Sequence, residues 1–259
     1  MTQSKINRLI WDIEVSPCIG MFWRPGWRLS IPHDNIIQES AIICICYKWE
    51  GSNKVYHLEW DNGDDKAMCE QFIEIANQAD ELVAHNGDKF DLPWFKGRCL
   101  FHELDPTPIY KTVDTLVIAR RRFKFNSNRL DYLGQHLCGE GKIHTEFGLW
   151  KDILLDNCPK AMKSMVKYCK QDVNLLEKVW QKLEPYHTPK THVGRLNGLD
   201  KWTCPYTGSQ NVQSRGRVIT AAGTVKHRMY CPENGRWFNI SEKAYEEYRE
   251  YRKDLEDAK

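Results

Sequence analysis

The order of elements in the sequence predicts an α/β or α+β chain built on a mixed sheet and followed by a small β-rich module. Three observations carry this reading. Apolar, β-branched runs come first, separated by loop and turn chemistry, as antiparallel strands are. Helical spacings then alternate with short buried strands, the pattern that crossovers give to parallel strands. After Pro185 the composition shifts: residues 187–240 carry eight Lys/Arg against two Asp/Glu, with many Gly and Thr and no helical period.

Arg8–Val15 is aromatic and β-branched and stops at Ser16-Pro17, so it reads as a strand. Pro25-Gly26 and Ile31-Pro32 punctuate a long aromatic loop. Ser40–Trp49 reads as a buried strand, Glu50-Gly51-Ser52-Asn53 as a turn, and Lys54–Trp60 as a third strand. Met68, Phe72, Ile75, Ala76 and Ala79 give Asp65–Ala79 a helical spacing. Glu81–Ala84 is a short buried strand, and a helix opens near Phe90 with Pro93 in its first turn. Thr112–Ile118 is a further apolar stretch, Arg129–Leu137 is helical, and Pro159–Leu183 has the clearest helical period of all. Ser241–Lys259 reads as a charged helical tail with Tyr245, Tyr248 and Leu255 as a thin apolar stripe.

A chain of 259 residues suits one generous domain, or one with an appendage. Its hydrophobic share of 41% supplies a real core and excludes a disordered chain. The longest apolar run, Ala41–Tyr47, is strand length, against ~20 residues for a membrane helix. A formal charge of +2 excludes a uniformly basic coating protein but leaves room for a local basic groove. Residues 1–15 reach an acidic pair before any signal-peptide core forms, so a soluble protein of a reducing intracellular compartment is expected. Of ten cysteines, eight are scattered through the region before Pro185, mostly inside apolar segments, and no CxxC occurs. They are expected to be reduced thiols acting as small core hydrophobes.

Several acidic residues then need an account. Asp12 and Glu14 stand at i and i+2 on a strand, so both leave one face, while Trp11, Ile13 and Val15 fill the other. Acidic residues are depleted in strands, and the plain alternative is a solvated face. Asp91 sits where a loop becomes a helix, where capping is the ordinary role of Asp. Tyr168 and Asp172 are one turn apart on the strongest helix, which alone reads as a surface pair.

Taken together, Trp11-Asp12-Ile13-Glu14, His85-Asn86-Gly87-Asp88-Lys89-Phe90-Asp91 and Tyr168-Cys169-Lys170-Gln171-Asp172 resemble the DEDDy subgroup of DnaQ-like 3′–5′ exonucleases, within the ribonuclease H-like superfamily. Order and approximate spacing agree over roughly residues 5–185. The fold this implies is α/β: a ribonuclease H-like mixed sheet, three antiparallel strands then parallel ones, flanked by helices. The implied division is an exonuclease domain at 1–186, a β module at 187–240 and a charged helix at 241–259.

The resemblance implies two Mg²⁺ or Mn²⁺ ions, hard cations that carboxylates hold. Asp12 would bridge both, Glu14 and Asp172 would complete the one that activates water, and Asp91 would support the one near the leaving group. Tyr168 would orient the attacking water, because a phenol of pKa ~10 is a poor base at neutral pH. Asp114 and Asp131 are expected to be structural or supporting, and Asp88 to be exposed. Asn86 and Phe90 match motif positions beside the terminal nucleotide, and the backbone of Ile13 would lie near the last base. His85 is expected to be structural. Arg120, Arg121, Arg122, Lys124 and Arg129, with Phe123 and Phe125 interleaved, suit phosphates and bases of a single strand, or else a solvated helix end with core aromatics. Trp23, Arg24, Trp27 and Arg28 form a weaker set of the same kind.

Cys204-Pro205-Tyr206-Thr207 and Cys231-Pro232-Glu233-Asn234 resemble a zinc ribbon in which the second cysteine of each pair is replaced. The expectation is a ribbon shape without zinc, adding nucleic-acid affinity; His187, His192 or His227 are the residues that could restore a metal site. The whole is similar to small stand-alone exonucleases, including those carried by phages beside a replication system. That implies a cytoplasmic enzyme in a bacterial host, acting on 3′ ends of single-stranded DNA and releasing nucleoside monophosphates, with replication or repair proteins as partners and no membrane. An RNA-trimming exoribonuclease is the second reading. An inactive nucleic-acid-binding module is the third, but a dead copy should have lost a carboxylate or the tyrosine, and none is missing.

Overall fold

The central strand of the computed structural model is β1 (Arg8–Val15). The structure describes residues 6–26, 29–105, 108–143 and 145–257. After β1 come β2 (Ile19–Gly20) and β3 (Ile36–Gln38), a two-stranded ribbon, then β4 (Ile42–Trp49), β5 (Tyr56–Glu59), α1 (Lys66–Ala76), β6 (Glu81–Ala84), α2 (Asp91–Phe101), β7 (Thr112–Asp114), α3 (Thr115–Arg122), α4 (Leu130–Cys138), α5 (Gly148–Leu154) and α6 (Pro159–Leu183). The main sheet has the order β5-β4-β1-β6-β7. β4 is antiparallel to β1 and β5, whereas β6 runs parallel to β1 and β7 parallel to β6. This is the mixed sheet the sequence predicts.

Alternation along the strands divides the core into two layers. On one face Trp11 stacks on Phe72 of α1 at 4.9 Å and meets Phe95 of α2 edge-on, and Tyr47 of β4 joins the same group. The other face receives α6. Pro159 opens that helix without an N–H to lose. The stripe Met165, Val166, Cys169, Val173, Leu176, Trp180 and Leu183 then buries against the sheet. Several charged residues on this face are tolerated because they find partners. Lys48 meets Glu177, Arg8 meets Glu81 at 2.7 Å, and the Trp180 indole donates to Glu50 at 2.7 Å.

The second compact unit, within Thr188–Lys259, contains α7 (Val193–Leu196), β8 (Gln213–Ile219), β9 (Val225–Cys231), β10 (Arg236–Ser241) and α8 (Glu242–Asp257). Its sheet is antiparallel in the order β10-β9-β8. Trp202, Cys204, Met229, Cys231 and Ile240 form its core, closed by Ala244 and Tyr248 of α8.

Several expectations need correction. The helix expected from Asp65 begins at Lys66, because the Asp65 carboxylate is drawn inward to Arg98, His102 and the Ile42 N–H. The apolar stretch Thr112–Ile118 is not one element: Asp114 ends β7 and caps α3 through the N–H groups of Leu116 and Val117. The ribbon of β2 and β3, the short α5 and the single-turn α7 have too few residues to show a period. Trp27 and Arg28 lie outside the described residues.

α4 packs on α6 at Gly134, where a Cβ would lie 2.6 Å from both Leu175 Cδ1 and the Glu140 carbonyl oxygen. Neither neighbour can withdraw, one being core and the other backbone. Gly134→Ala should therefore destabilise the protein by about 1–3 kcal/mol through overpacking, read from the urea midpoint; an unchanged midpoint would refute the close approach.

Candidate active site

Three separated segments converge on the α6 side of β1. Asp12 and Glu14 leave the centre of the sheet on one face, and Asp172 reaches them from α6; one oxygen from each lies within 4.8 Å of the others. Asp172 is only 1% exposed, so the surface-pair reading of that helix turn fails. Asp91 is the first residue of α2, one position past the capping residue Phe90, and is also buried. Its Oδ1 instead accepts the Ile13 N–H at 3.2 Å, which ties the helix start to the strand. Asp91 stands outside the tight group of three but close enough to act on Asp12 electrostatically.

Crowding and burial set the protonation of these groups. Asp12 is pushed well above the ordinary carboxylate range by burial, then by Asp91, Asp172 and Glu14. Burial and Asp172 push Glu14 up to about 8, and burial pushes Asp91 up to about 7 against the pull of its backbone hydrogen bonds. Asp172 is raised by burial, with Lys142 opposing. Tyr168 interacts with Asp172, and burial followed by Asp172 raises its phenol, so it keeps its proton. Carboxylates raised by one another's charge form a place where a bound cation would be stabilised.

Lys142 is the residue that motif spacing did not reveal. Its Nζ pairs with Asp172 Oδ2 and lies 5.5 Å from the centre of the Tyr168 ring. Burial would lower it, but Asp172 and Asp12 outweigh burial and hold it above the ordinary lysine range. Its loop is fixed by Asp131, whose Oδ1 accepts the Lys142 N–H at 2.7 Å, and by Gln171, which donates to the Gly141 carbonyl at 3.2 Å. Asp131 thus has the supporting role expected of it. Asp114 does too, accepting from Asn86, Leu116 and Val117. Asp88 is exposed.

Beside Lys142 opens a cavity of about 650 Å³, bordered among others by Asn86, Arg120, Arg129 and Asp131. Three cations thus face one carboxylate there. His85 also borders it, held between Thr115 Oγ1 at 2.8 Å and the Asn128 carbonyl at 3.0 Å, with burial lowering its pKa to about 4. A neutral, doubly anchored imidazole is a structural tie. Arg121, Arg122 and Lys124 are exposed and do not border the cavity. Phe123 and Phe125 are half-buried against the core, which favours the packing reading of those aromatics. Phe90 is 41% exposed next to Asp91, its ring 6.5 Å from Trp94. The Ile13 side chain is buried in the core, so only its backbone could face a ligand.

The donor set fits a hard divalent cation. Asp12, Glu14 and Asp172 present carboxylate oxygens, and Asp172 Oδ1 is buried with no hydrogen-bond partner. A second group, Cys44, Cys46 and Cys169, offers three soft donors within 4.8 Å behind the carboxylates. All three are buried, and such a group could bind zinc. In the second unit Asn234 Nδ2 donates to Cys204 Sγ at 3.6 Å, and Thr207 Oγ1 lies 4.0 Å from Cys231 Sγ. The four ribbon positions therefore meet. Among the described residues no third His, Cys, Asp or Glu joins the two sulfurs, and His192 and His227 are engaged by Arg195 and Glu242.

A family model described as the RNase_H superfamily (RNase_H_2) matches residues 37–184, more than half of the chain. The match includes Asp91, Tyr168 and Asp172 and begins after Asp12 and Glu14. Among solved structures, the family B DNA polymerase from the hyperthermophilic archaeon Pyrobaculum calidifontis is similar, with a TM-score of 0.53 and 16% identity. The likeness covers 70% of this chain and 25% of that one, and at such identity it concerns the fold alone. No curated protein matches the sequence.

The raised carboxylates predict how stability depends on pH. Glu14 binds its proton more tightly folded than unfolded, so its contribution falls as pH rises from about 4.5 towards about 8. His85 acts oppositely below its unfolded pKa, so the comparison must be made against Glu14→Gln. In EDTA, wild-type stability relative to that variant should decline over this window. Mg²⁺ or Mn²⁺ should raise the wild-type Tm more at pH 8 than at pH 5.5. A flat difference curve would refute the crowding account.

Proposed function

The chain belongs to the RNase_H superfamily, and on that premise we propose that it is a DEDDy-type 3′–5′ exonuclease that hydrolyses single-stranded DNA from its 3′ end. The observation that carries this reading is the convergence of Asp12, Glu14 and Asp172, with Tyr168 and Asp91 near enough to act on them electrostatically, beside a cavity that Arg120, Arg129 and Lys142 make cationic. Four neighbouring carboxylates, two of them buried and two half-buried, repel one another, and phosphodiester hydrolysis is a chemistry that needs them.

In this proposal Asp12, Glu14, Asp91 and Asp172 hold two Mg²⁺ or Mn²⁺ ions. When bound there, the ions supply charge neutralisation, an activated water and help for the leaving oxygen. The remaining work falls to the protein's own side chains. Tyr168, protonated at neutral pH, donates through its hydroxyl and so orients the attacking water rather than deprotonating it. Lys142 keeps its positive charge and can pass from Asp172 to a phosphate oxygen as a strand arrives. Asn86, Arg120 and Arg129 draw the terminal nucleotide into the cavity, with the exposed ring of Phe90 available to stack on a base. Ile13 contributes backbone near the terminal residue.

The test is degradation of 5′-labelled single-stranded DNA and matched RNA with Mg²⁺, Mn²⁺ or EDTA. A metal-dependent ladder that shortens from the 3′ end is expected, with DNA preferred and Asp12→Ala inactive but folded. Preferential cleavage of RNA would move the substrate to the exoribonuclease reading. No cleavage of either polymer, with binding intact, would leave a binding module.

Tyr168→Phe should lower kcat by roughly ten- to hundredfold with little change in KM, as loss of positioning does. An unchanged kcat would remove Tyr168 from the mechanism.

A further inference from the structure

The sheet of the second unit has two unlike faces. Residues alternate along β9, so His227, Met229 and Cys231 turn inward, where the Tyr245 ring of α8 lies 3.6 Å from His227. Lys226, Arg228 and Tyr230 are on the opposite face, and the cross-strand register sets Asn239 against Arg228 and Trp237 against Tyr230. Trp237 and Tyr230 form a tilted pair with centroids 5.1 Å apart, and Trp237 remains 52% exposed. Arg228, Trp237, Phe238 and Asn239 border a hollow of about 350 Å³.

A lone exposed aromatic residue is commonplace. Here a pair of rings is held in register beside cations, and the charge around it has one sign. Residues 213–241 contain five Lys/Arg and a single carboxylate, Glu233, which accepts from the Ser209 hydroxyl at 2.6 Å. A peptide ligand would offer no reason for this combination. A single strand offers both halves of it: exposed base faces for the rings, and phosphates at intervals for Lys226 and Arg228. In a duplex the base faces are covered by stacking and only the phosphates remain.

We propose that this face is a second nucleic-acid site, for single strands, in which Trp237 and Tyr230 stack on bases while Lys226 and Arg228 meet phosphates. It extends beyond the hydrolytic reading and rests on different residues, so the two can fail separately.

The test uses the full chain in EDTA, where no hydrolysis competes, with oligothymidylate as the probe. Titration should quench tryptophan emission, and the quench should shrink in Trp237→Phe, which keeps a ring and most of the affinity. Trp237→Ala should weaken binding roughly 5- to 100-fold without changing the salt dependence. Arg228→Ala and Lys226→Ala should each lower the slope of log K against log salt by about 0.7. All three side chains are exposed or half-exposed, and the Tm of each variant verifies folding. An equal quench in wild type and Trp237→Phe, or a Trp237→Ala variant that binds as tightly as wild type, would overturn the proposal. So would a duplex bound as tightly as the single strand. Loss of hydrolysis with Trp237-dependent binding retained would discard the exonuclease reading and leave this site standing.

Discussion

The arrangement around β1 answers one electrostatic constraint: several carboxylates are held together where water reaches them only in part. Like charges in a low dielectric repel strongly and each also loses hydration, so a flexible chain would let them drift apart. Here drift is prevented by placement. Asp12 and Glu14 stand on a strand paired with β4 at both positions, while β6 holds its first half on the other side, so neither can move without disturbing that ladder. Asp172 is fixed on a 25-residue helix whose apolar stripe is buried along the sheet. Asp91 is pinned by the Ile13 N–H. The ammonium of Lys142 offsets part of the repulsion but leaves Asp172 Oδ1 without a partner.

The contrast with Asp65 shows that burial alone does not make such a site. Asp65 is fully buried, yet its pKa is lowered. Burial would raise it, but Arg98, His102 and the Ile42 N–H outweigh that effect. Its carboxylate receives both Nε and Nη2 of Arg98 at 2.8 Å. Glu81 and Glu177 are likewise matched to Arg8 and Lys48. Each of these frame acids has a cation of its own, although Glu81 uses only one oxygen for it, whereas Asp12, Glu14 and Asp172 gather around the single ammonium of Lys142. Three carboxylates sharing one cation, where the other buried acids each have their own, point to a ligand.

What could be read beforehand follows from how local each signal is. The alternation in Arg8–Val15 and the helical stripe in Pro159–Leu183 are dense, one-dimensional patterns, and both elements appear with the expected bounds. Asp12, Glu14 and Asp172 come together because strand and helix periods fix their faces. Lys142 was not legible. It stands in an aperiodic stretch between α4 and α5, reaches Asp172 across thirty residues of sequence, and owes its position to Asp131 and Gln171. A basic run misled for the opposite reason: Arg120 borders the cavity while its neighbours Arg121 and Arg122 do not, because successive helical residues point a hundred degrees apart.

The second unit meets its own polar groups in another way. At the two positions where a ribbon would place a further cysteine, Thr207 and Asn234 bring a hydroxyl and an amide to the remaining sulfurs. Cys231 is raised by burial and by its contact with Cys204, which keeps the thiol protonated and able to join such a network. A neutral cluster of this kind holds the two knuckles together without a net charge to compensate, and Trp202, Met229 and Tyr248 enclose it in apolar surface. The module's ionic character is thereby displaced to its surface, where Lys226 and Arg228 stand unmatched by any carboxylate on their strands. One unit concentrates negative charge inside and the other presents positive charge outside.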